Sequence, residues 1–270
     1  MQIYLWQCAF SYNNLERFEE LGSHEFSQEC KGYCFISEFG NGNLSKLEEA
    51  MKKYFLFDLD GTLTNTKEGI IKGLVIALNS VGKSEKDLSK LERFIGPPLK
   101  NSFMDFYNLN SGKADLAIEK YREYYKDKGM YECTLYGGMD RLLRKLREEV
   151  PNAKICVATS KPQYFAEKIL EHCGVKDCFD VIVGATMDHS RVEKADIITE
   201  VMRLCPESEK AEMLMIGDRK YDIKGAKLCE IESVGVRFGF AEGTELEDAG
   251  ADYIVDTVSE LEGKLIELSK

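Results

Sequence analysis

The chain has one tryptophan, five prolines and three histidines among 270 residues. So little proline, beside 44% hydrophobic and 31% charged residues, excludes a collagen-like or mainly disordered chain. Enough apolar side chains remain for a sizeable core, and the length predicts one to two domains. The histidines (His24, His172, His189) show no partner pattern for a Ser-His-Asp triad. His172 falls late in an expected helix and His189 in a polar loop, so both read as structural or solvated. No Gly-x4-Gly-Lys-Ser/Thr loop occurs, which excludes a P-loop ATPase. The nine cysteines (8, 30, 34, 133, 156, 173, 178, 205 and 229) include no Cys-x-x-Cys pair. That spacing fits neither a disulfide framework nor a zinc ribbon, and reduced thiols in a cytoplasmic protein are expected. No run approaches the ~18 apolar residues of a membrane span. The first residues, MQIYLWQCAFSYNN, lack the basic and long apolar regions of a signal peptide. Positive charge is also scarce: 36 Lys and Arg against 47 Asp and Glu give a net charge of −11. Such a surface repels phosphate backbones, so no nucleic-acid partner is expected. A small anion in a local cationic pocket remains compatible with it.

Composition shifts near residue 50. Residues 1–50 contain no Asp, Pro, Val or Thr, yet hold Trp6 and nine of the 28 aromatics. Residues 1–52 are read as an extension of unknown role: a genuine arm, a small appended module, or the product of an upstream start. Leu15, Phe18 and Leu21 suit one face of a short helix, and Leu44, Leu47 and Met51 another. His24, Cys30 and Cys34 lack a fourth ligand at a normal metal spacing. The aromatic density would suit a dimer contact or a docking arm.

From residue 54 apolar runs alternate with helical patterns. Strands are expected at 54–57, 154–158, 181–183, 213–216, 233–236 and 253–255. Helices are expected at 138–149, 162–173, 193–204, 221–229 and 257–268. Strands apolar throughout predict an α/β fold, a three-layer Rossmann-like parallel sheet covered on both faces. Between about 67 and 133 no strand is legible. Ile70, Ile71, Leu74, Val75 and Leu78 keep a helical period, with more helix around 84–94, 99–107 and 113–127. This predicts an all-helical insert over 67–133, within a core of 53–66 and 134–270.

Four short motifs carry chemistry. In Asp58-Leu59-Asp60-Gly61-Thr62-Leu63-Thr64, two carboxylates stand at the carboxyl end of an apolar strand, where ligands of open α/β sheets bind. One could be a nucleophile or metal ligand and the other an acid/base; as an isolated pair they could equally be turn formers. In Val157-Ala158-Thr159-Ser160-Lys161-Pro162, Thr159 can donate to a phosphate oxygen or serve as an ordinary helix cap. Lys194 opens a helix against its dipole, which an anion would offset; alone it reads as a surface lysine. In Met215-Ile216-Gly217-Asp218-Arg219-Lys220-Tyr221-Asp222, Asp218 could join an oxygen-ligand set for Mg²⁺. Asp222 could orient Lys194 or a metal-bound water, or both acids could simply favour a helix start.

All four motifs fall at or just beyond strand carboxyl ends, in one order. Together they resemble the motifs of the haloacid dehalogenase-like (HAD) hydrolases over about residues 53–268. FIGPPL (Phe94–Leu99), YREYY (Tyr121–Tyr125), SRVEKADII and IGDRKYDIKGAK are similar to the phosphoglycolate phosphatase-like and 5′-nucleotidase-like subgroup. The insert then corresponds to the family's α-helical cap. Gly137 stands where the subgroup would carry proline, at the hinge between cap and core.

The resemblance implies that Asp58 attacks phosphorus and forms an aspartyl-phosphate, with Asp60 as acid/base. It implies Mg²⁺ held by Asp58, the Asp60 carbonyl and Asp218, and phosphoryl oxygens held by Thr159, Ser160 and Lys194. Phe94 and Lys100 are candidates for substrate contacts from the cap, although packing and surface charge explain them equally well. The expected substrate is a small phosphorylated metabolite, of the phosphoglycolate or nucleoside 5′-monophosphate class. Asp60 argues against a dehalogenase, which has no alkoxide to protonate. A phosphosugar mutase, recognisable by dependence on a bisphosphate activator, remains open. A non-catalytic binding module is disfavoured by the intact motifs. Oligomeric state is not set by the sequence.

Overall fold

The computed structural model describes residues 51–188 and 190–270. The readings placed on residues 1–50 and on His189 lie outside the described residues.

Six strands form the main sheet: β1 (Tyr54–Phe57), β4 (Lys154–Pro162), β5 (Val181–Ala185), β6 (Met213–Gly217), β7 (Glu232–Val236) and β8 (Tyr253–Val255). All neighbours are parallel, in the order β5-β4-β1-β6-β7-β8. Alternation of side chains divides the core. Phe55, Phe57, Ile155, Val157, Leu214 and Ile216 meet α4 (Met139–Glu149), α5 (Gln163–His172) and α9 (Val258–Glu267) on one face. Leu56, Cys156, Ala158, Val183 and Met215 meet α6 (Lys194–Leu204) and α7 (Lys220–Leu228) on the other. Burial on both faces explains why these strands read as unbroken apolar runs.

Chain order reverses about β1: β4 and β5 lie on one side, β6 to β8 on the other. The carboxyl ends of β1, β4 and β6 therefore meet at a topological switch point.

The insert leaves the core through β2 (Thr64–Asn65) and returns through β3 (Thr134–Leu135), which pair antiparallel. Tyr136 N donates to Leu63 O (3.1 Å), closing the base of this two-stranded hinge. Between the two strands lie α1 (Lys67–Ser80), α2 (Leu99–Tyr107) and α3 (Ser111–Asp127). The insert is all-helical, as expected. Gly137, the departure at the hinge, has open space around it, so no neighbour demands glycine there.

Some details differ from expectation. The helix placed at 84–94 is only a 3-10 helix, Leu88–Phe94. The Asp87 side chain accepts from Ser89 N, and Pro97-Pro98 soon follow, which stops an α-helix from developing. Strand β4 continues past Ala158 to Pro162, so Pro162 caps α5 from outside instead of lying in its first turn. A short helix, α8 (Glu245–Ala249), and the pairing of β2 with β3 beside the expected hinge had no sequence expectation. His172 ends α5 with its ring edge-on to Tyr131 (5.2 Å), a packing contact. Among the described residues, no helix is long and apolar enough to cross a membrane.

The insert packs through small residues. A Cβ on Gly69 of α1 would fall 1.9 Å from the Gly129 carbonyl oxygen, and one on Gly73 would meet the Tyr121 ring at 2.9 Å. This close approach sets the position of α3 and its tyrosines. Gly69→Ala should therefore destabilise the protein by about 1–3 kcal/mol through overpacking. Gly112→Ala, in the first turn of α3 with only Asn110 Oδ1 at 3.8 Å, should leave stability unchanged or raise it. Thermal unfolding of the two variants checks the contrast.

Candidate active site

Asp58 follows β1 directly, and its amide continues the sheet by donating to Ile216 O (2.9 Å). Its side chain is thereby fixed at the sheet edge beside the end of β6. The chain then wraps around the Leu59 carbonyl, which accepts from Leu63 N, Thr64 N and Thr64 Oγ1. Gly61 makes this wrap possible with φ +87°, and a Cβ there would collide with Asp218 Oδ2 at 2.1 Å. Asp218 is held from both sides: Thr62 Oγ1 donates to Oδ1 (3.1 Å) and Phe240 N to Oδ2 (2.8 Å). Asp222, in the first turn of α7, accepts from Arg219 N at Oδ2 (3.0 Å).

Lys194, the first residue of α6, joins these parts. Its ammonium lies 3.0 Å from Asp58 Oδ1 and 2.8 Å from Asp222 Oδ1, and donates to the Ala158 carbonyl (2.8 Å). Asp58, Asp218 and Asp222 each place a carboxylate oxygen within 4.8 Å of the others, all buried. One ammonium cannot neutralise three carboxylates at this density. Burial, reinforced by Asp222 and Asp58, holds the Asp218 carboxyl well above the usual range. Burial also pushes Asp222 up to about 6, although Lys194 pulls the other way. Burial opposes the Lys194 ammonium, but Asp222 and Asp58 outweigh it and raise its pKa. Asp58 Oδ1 and Asp222 Oδ1 receive no hydrogen bond beyond this ion pairing. A cluster of hard oxygen donors with excess negative charge suits a small divalent cation.

The second aspartate of the pair behaves differently. Asp60 turns away from the cluster and binds Lys161, with Nζ 2.6 Å from Oδ2 and 3.0 Å from Oδ1. Two residues of spacing thus put Asp58 and Asp60 on different ammonium groups.

A cavity of about 840 Å³ opens above these residues, between the sheet edge and the helical cap. Asp58, Asp60, Thr159, Ser160, Lys194 and Asp222 all line it. Thr159 is buried, and its hydroxyl oxygen accepts from Lys161 N (3.2 Å) while retaining its own proton for donation. From the cap, Lys100 reaches the cavity wall but pairs with Asp115 (2.7 Å). Phe94 is 2% exposed and packs edge-on against Phe103 and Phe106, so most of its surface serves the cap interior. Asp218 lies behind the cavity wall as a fully buried member of the acidic cluster.

Four side chains at the site were not assigned from sequence. Lys161 was inside a quoted motif, but nothing in the motif tells which way its side chain turns. Arg219 donates from Nη1 to the Ile95 carbonyl of the cap and from Nε to Glu245 (3.0 Å), so it ties the β6–α7 loop to the cap. Tyr121 and Tyr125 of α3 stack at 5.2 Å on the cavity wall. Their spacing of four on a helix was the available signal.

The acidic cluster generates a pH test. The folded-state pKa of Asp222 lies above its ordinary value of 3.8, at about 6. The folded state therefore binds more protons than the unfolded one between those values, and stability falls as pH rises through that window. In EDTA, the stability of wild type relative to Asp222→Asn should decline from pH 4 to pH 6 and level off above it. Urea unfolding across that range is the measurement.

The chain matches the model of the haloacid dehalogenase-like hydrolases over residues 55–236. It is 39% identical over 203 residues to a 5′-nucleotidase of Pseudomonas aeruginosa, covering 74% of this chain and 90% of that protein. Tyrosine-protein kinase PtkA of Mycobacterium tuberculosis is 32% identical over 209 residues, 76% of this chain and 70% of that one. The crystal structure of a predicted phosphatase from Clostridium acetobutylicum superposes with a TM-score of 0.76 at 44% identity, covering 81% of this chain and all of that one. With its parallel core, helical insert and four motifs gathered at one sheet edge, the chain belongs to the haloacid dehalogenase-like hydrolases.

Proposed function

We propose that the protein is a Mg²⁺-dependent phosphomonoester hydrolase that works through an aspartyl-phosphate on Asp58. The observation that carries this reading is the division of labour between Asp58 and Asp60. Asp58 sits in the acidic cluster against Lys194, while Asp60 faces the cavity on its own partner. A nucleophile and an acid/base need that separation, because one carboxylate must stay ionised while the other exchanges a proton.

Asp58 attacks phosphorus, and the bond to the leaving oxygen breaks. Asp60 gives its proton to the departing alkoxide. In the second half Asp60 takes a proton from water, the water oxygen attacks phosphorus, and Asp58 and inorganic phosphate are released. Lys194, Ser160 and the Thr159 hydroxyl hold the phosphoryl oxygens while charge spreads over them. The carboxylates of Asp58 and Asp218 and the Asp60 carbonyl would hold Mg²⁺, which offsets the repulsion between a carboxylate and a phosphate dianion. Asp222 fixes the Lys194 ammonium (2.8 Å). The cap limits water entry and surrounds the leaving group.

The substrate is a small phosphorylated metabolite, with phosphoglycolate and nucleoside 5′-monophosphates as the first classes to test. A cavity of about 840 Å³ admits either. The nucleotidase named among the similar proteins supports including the second class.

Phosphate release from a panel of phosphomonoesters, with Mg²⁺ and with EDTA, is the test. Wild type should turn over in Mg²⁺ and stop in EDTA. Asp58→Asn should lose at least about three orders of magnitude in kcat. Wild-type activity in that variant would remove Asp58 from the nucleophile role. Turnover that requires a sugar bisphosphate would point to the mutase instead.

A further inference from the structure

We propose that Lys161 is a positioning residue for Asp60, and that Tyr125 makes this positioning depend on the cap being seated on the core. The inference rests on the phosphatase reading above and adds a residue to it.

The backbone delivers Lys161 to the cavity through an irregularity in β4. Thr159 pairs with Gly184 and Pro162 with Ala185, so Ser160 and Lys161 have no partners on β5. Such a bulge bends the strand and re-aims a side chain. Gly184 permits the bend: a Cβ there would lie 2.6 Å from the Lys161 carbonyl oxygen. The Lys161 amide is fixed in turn by Thr159 Oγ1 (3.2 Å).

The resulting pair is largely enclosed and two-pronged. The Lys161 ammonium reaches both Asp60 oxygens, at 2.6 and 3.0 Å, with side chains 6% and 14% exposed. Contact with both oxygens fixes the carboxylate plane, which a single hydrogen bond would leave free to rotate. Asp60 lines the same cavity as Asp58, and on the phosphatase reading it serves the leaving oxygen of a bound ester. Its usefulness as a proton donor depends on being held there, since proton transfer requires hydrogen-bond reach.

The ammonium also meets an aromatic ring of the cap. Its nitrogen lies 4.8 Å from the centroid of the Tyr125 ring, within cation–π range. That ring is 2% exposed, stacks on Tyr121 and meets Phe165 of the core edge-on at 5.6 Å. Its hydroxyl oxygen is buried with no hydrogen-bond partner, so the ring is held by its faces and edges. Lys161 thus touches the acid/base on one side and a cap aromatic on the other. A cap that lifts removes the ring from the ammonium and loosens Asp60.

The competing role for Lys161 is direct contact with the phosphoryl group, and the leaving group separates the two. A nitrophenolate leaves without needing a proton, whereas an alkoxide needs one. Single-turnover release should be measured with Mg²⁺ from 4-nitrophenyl phosphate and from glycerol 3-phosphate, at saturating enzyme. Lys161→Met should slow release of the alkoxide by about 10- to 100-fold and of nitrophenolate by less than about 3-fold. Its half-saturation concentration should stay at the wild-type value. Tyr125→Leu should show the same selective loss at smaller size, and the double variant should be no slower than Lys161→Met, because the residues act in series. Asp60→Asn gives the reference pattern, and Lys161→Gln should reproduce it if Lys161→Met does not fold. Equal loss with both esters, a raised half-saturation concentration, or no loss would overturn the positioning role. Additive losses in the double variant would overturn the link to the cap. Failure of the underlying reading is distinct: wild type would release neither leaving group, or Asp58→Asn would release both.

Discussion

The site is organised around the Lys194 ammonium. It is buried at the start of α6, shared by Asp58 and Asp222, and anchored to the Ala158 carbonyl. A lysine in that setting stays charged only because carboxylates surround it, and those carboxylates tolerate burial only because it is there. Asp218 completes the cluster without touching Lys194 directly. With every member ionised, three carboxylates face one ammonium. The imbalance raises Asp218 and Asp222 above their ordinary range and leaves a demand for further positive charge. The divalent cation proposed above would answer that demand.

The sheet supplies the precision. Asp58 is locked by a hydrogen bond that continues β1 pairing into β6, so the proposed nucleophile inherits the rigidity of a buried central strand. Gly61 turns the chain in the left-handed region and leaves room for Asp218 behind it. The same turn carries Asp60 toward the cavity and then into β2, the outgoing strand of the hinge. One eight-residue stretch, Asp58 to Asn65, therefore holds both proposed catalytic aspartates and the root of the cap. Cap and core also meet where Arg219 reaches the Ile95 carbonyl and where Tyr125 packs on Phe165.

Much of this was legible before any coordinates. The strands announced themselves because burial on both faces makes them apolar throughout, as in Tyr54–Phe57 and Met213–Gly217. The helical insert announced itself through the period of Ile70, Ile71, Leu74 and Leu78, all buried in α1. Asp58, Lys194, Asp218 and Asp222 could be marked together because strand ends of a parallel sheet share one edge. What escaped depends on contacts between distant residues. The bulge at Ser160-Lys161 requires Gly184 on the neighbouring strand, so the direction of Lys161 is not written in its own motif. The β2–β3 hinge is two residues wide on each side and carries no periodicity. Phe94 and Lys100 were marked from a motif, but their side chains are engaged largely by Phe103, Phe106 and Asp115 of the cap.

The demand of the acidic cluster for a cation can be measured without any substrate. The melting temperature of wild type and of Asp218→Asn, each in EDTA and in excess Mg²⁺, is the direct test, since a ligand that binds only the folded state raises it. The account predicts a clear rise for wild type on adding Mg²⁺ and little or none for Asp218→Asn. Equal melting temperatures in EDTA and Mg²⁺ for wild type would contradict it.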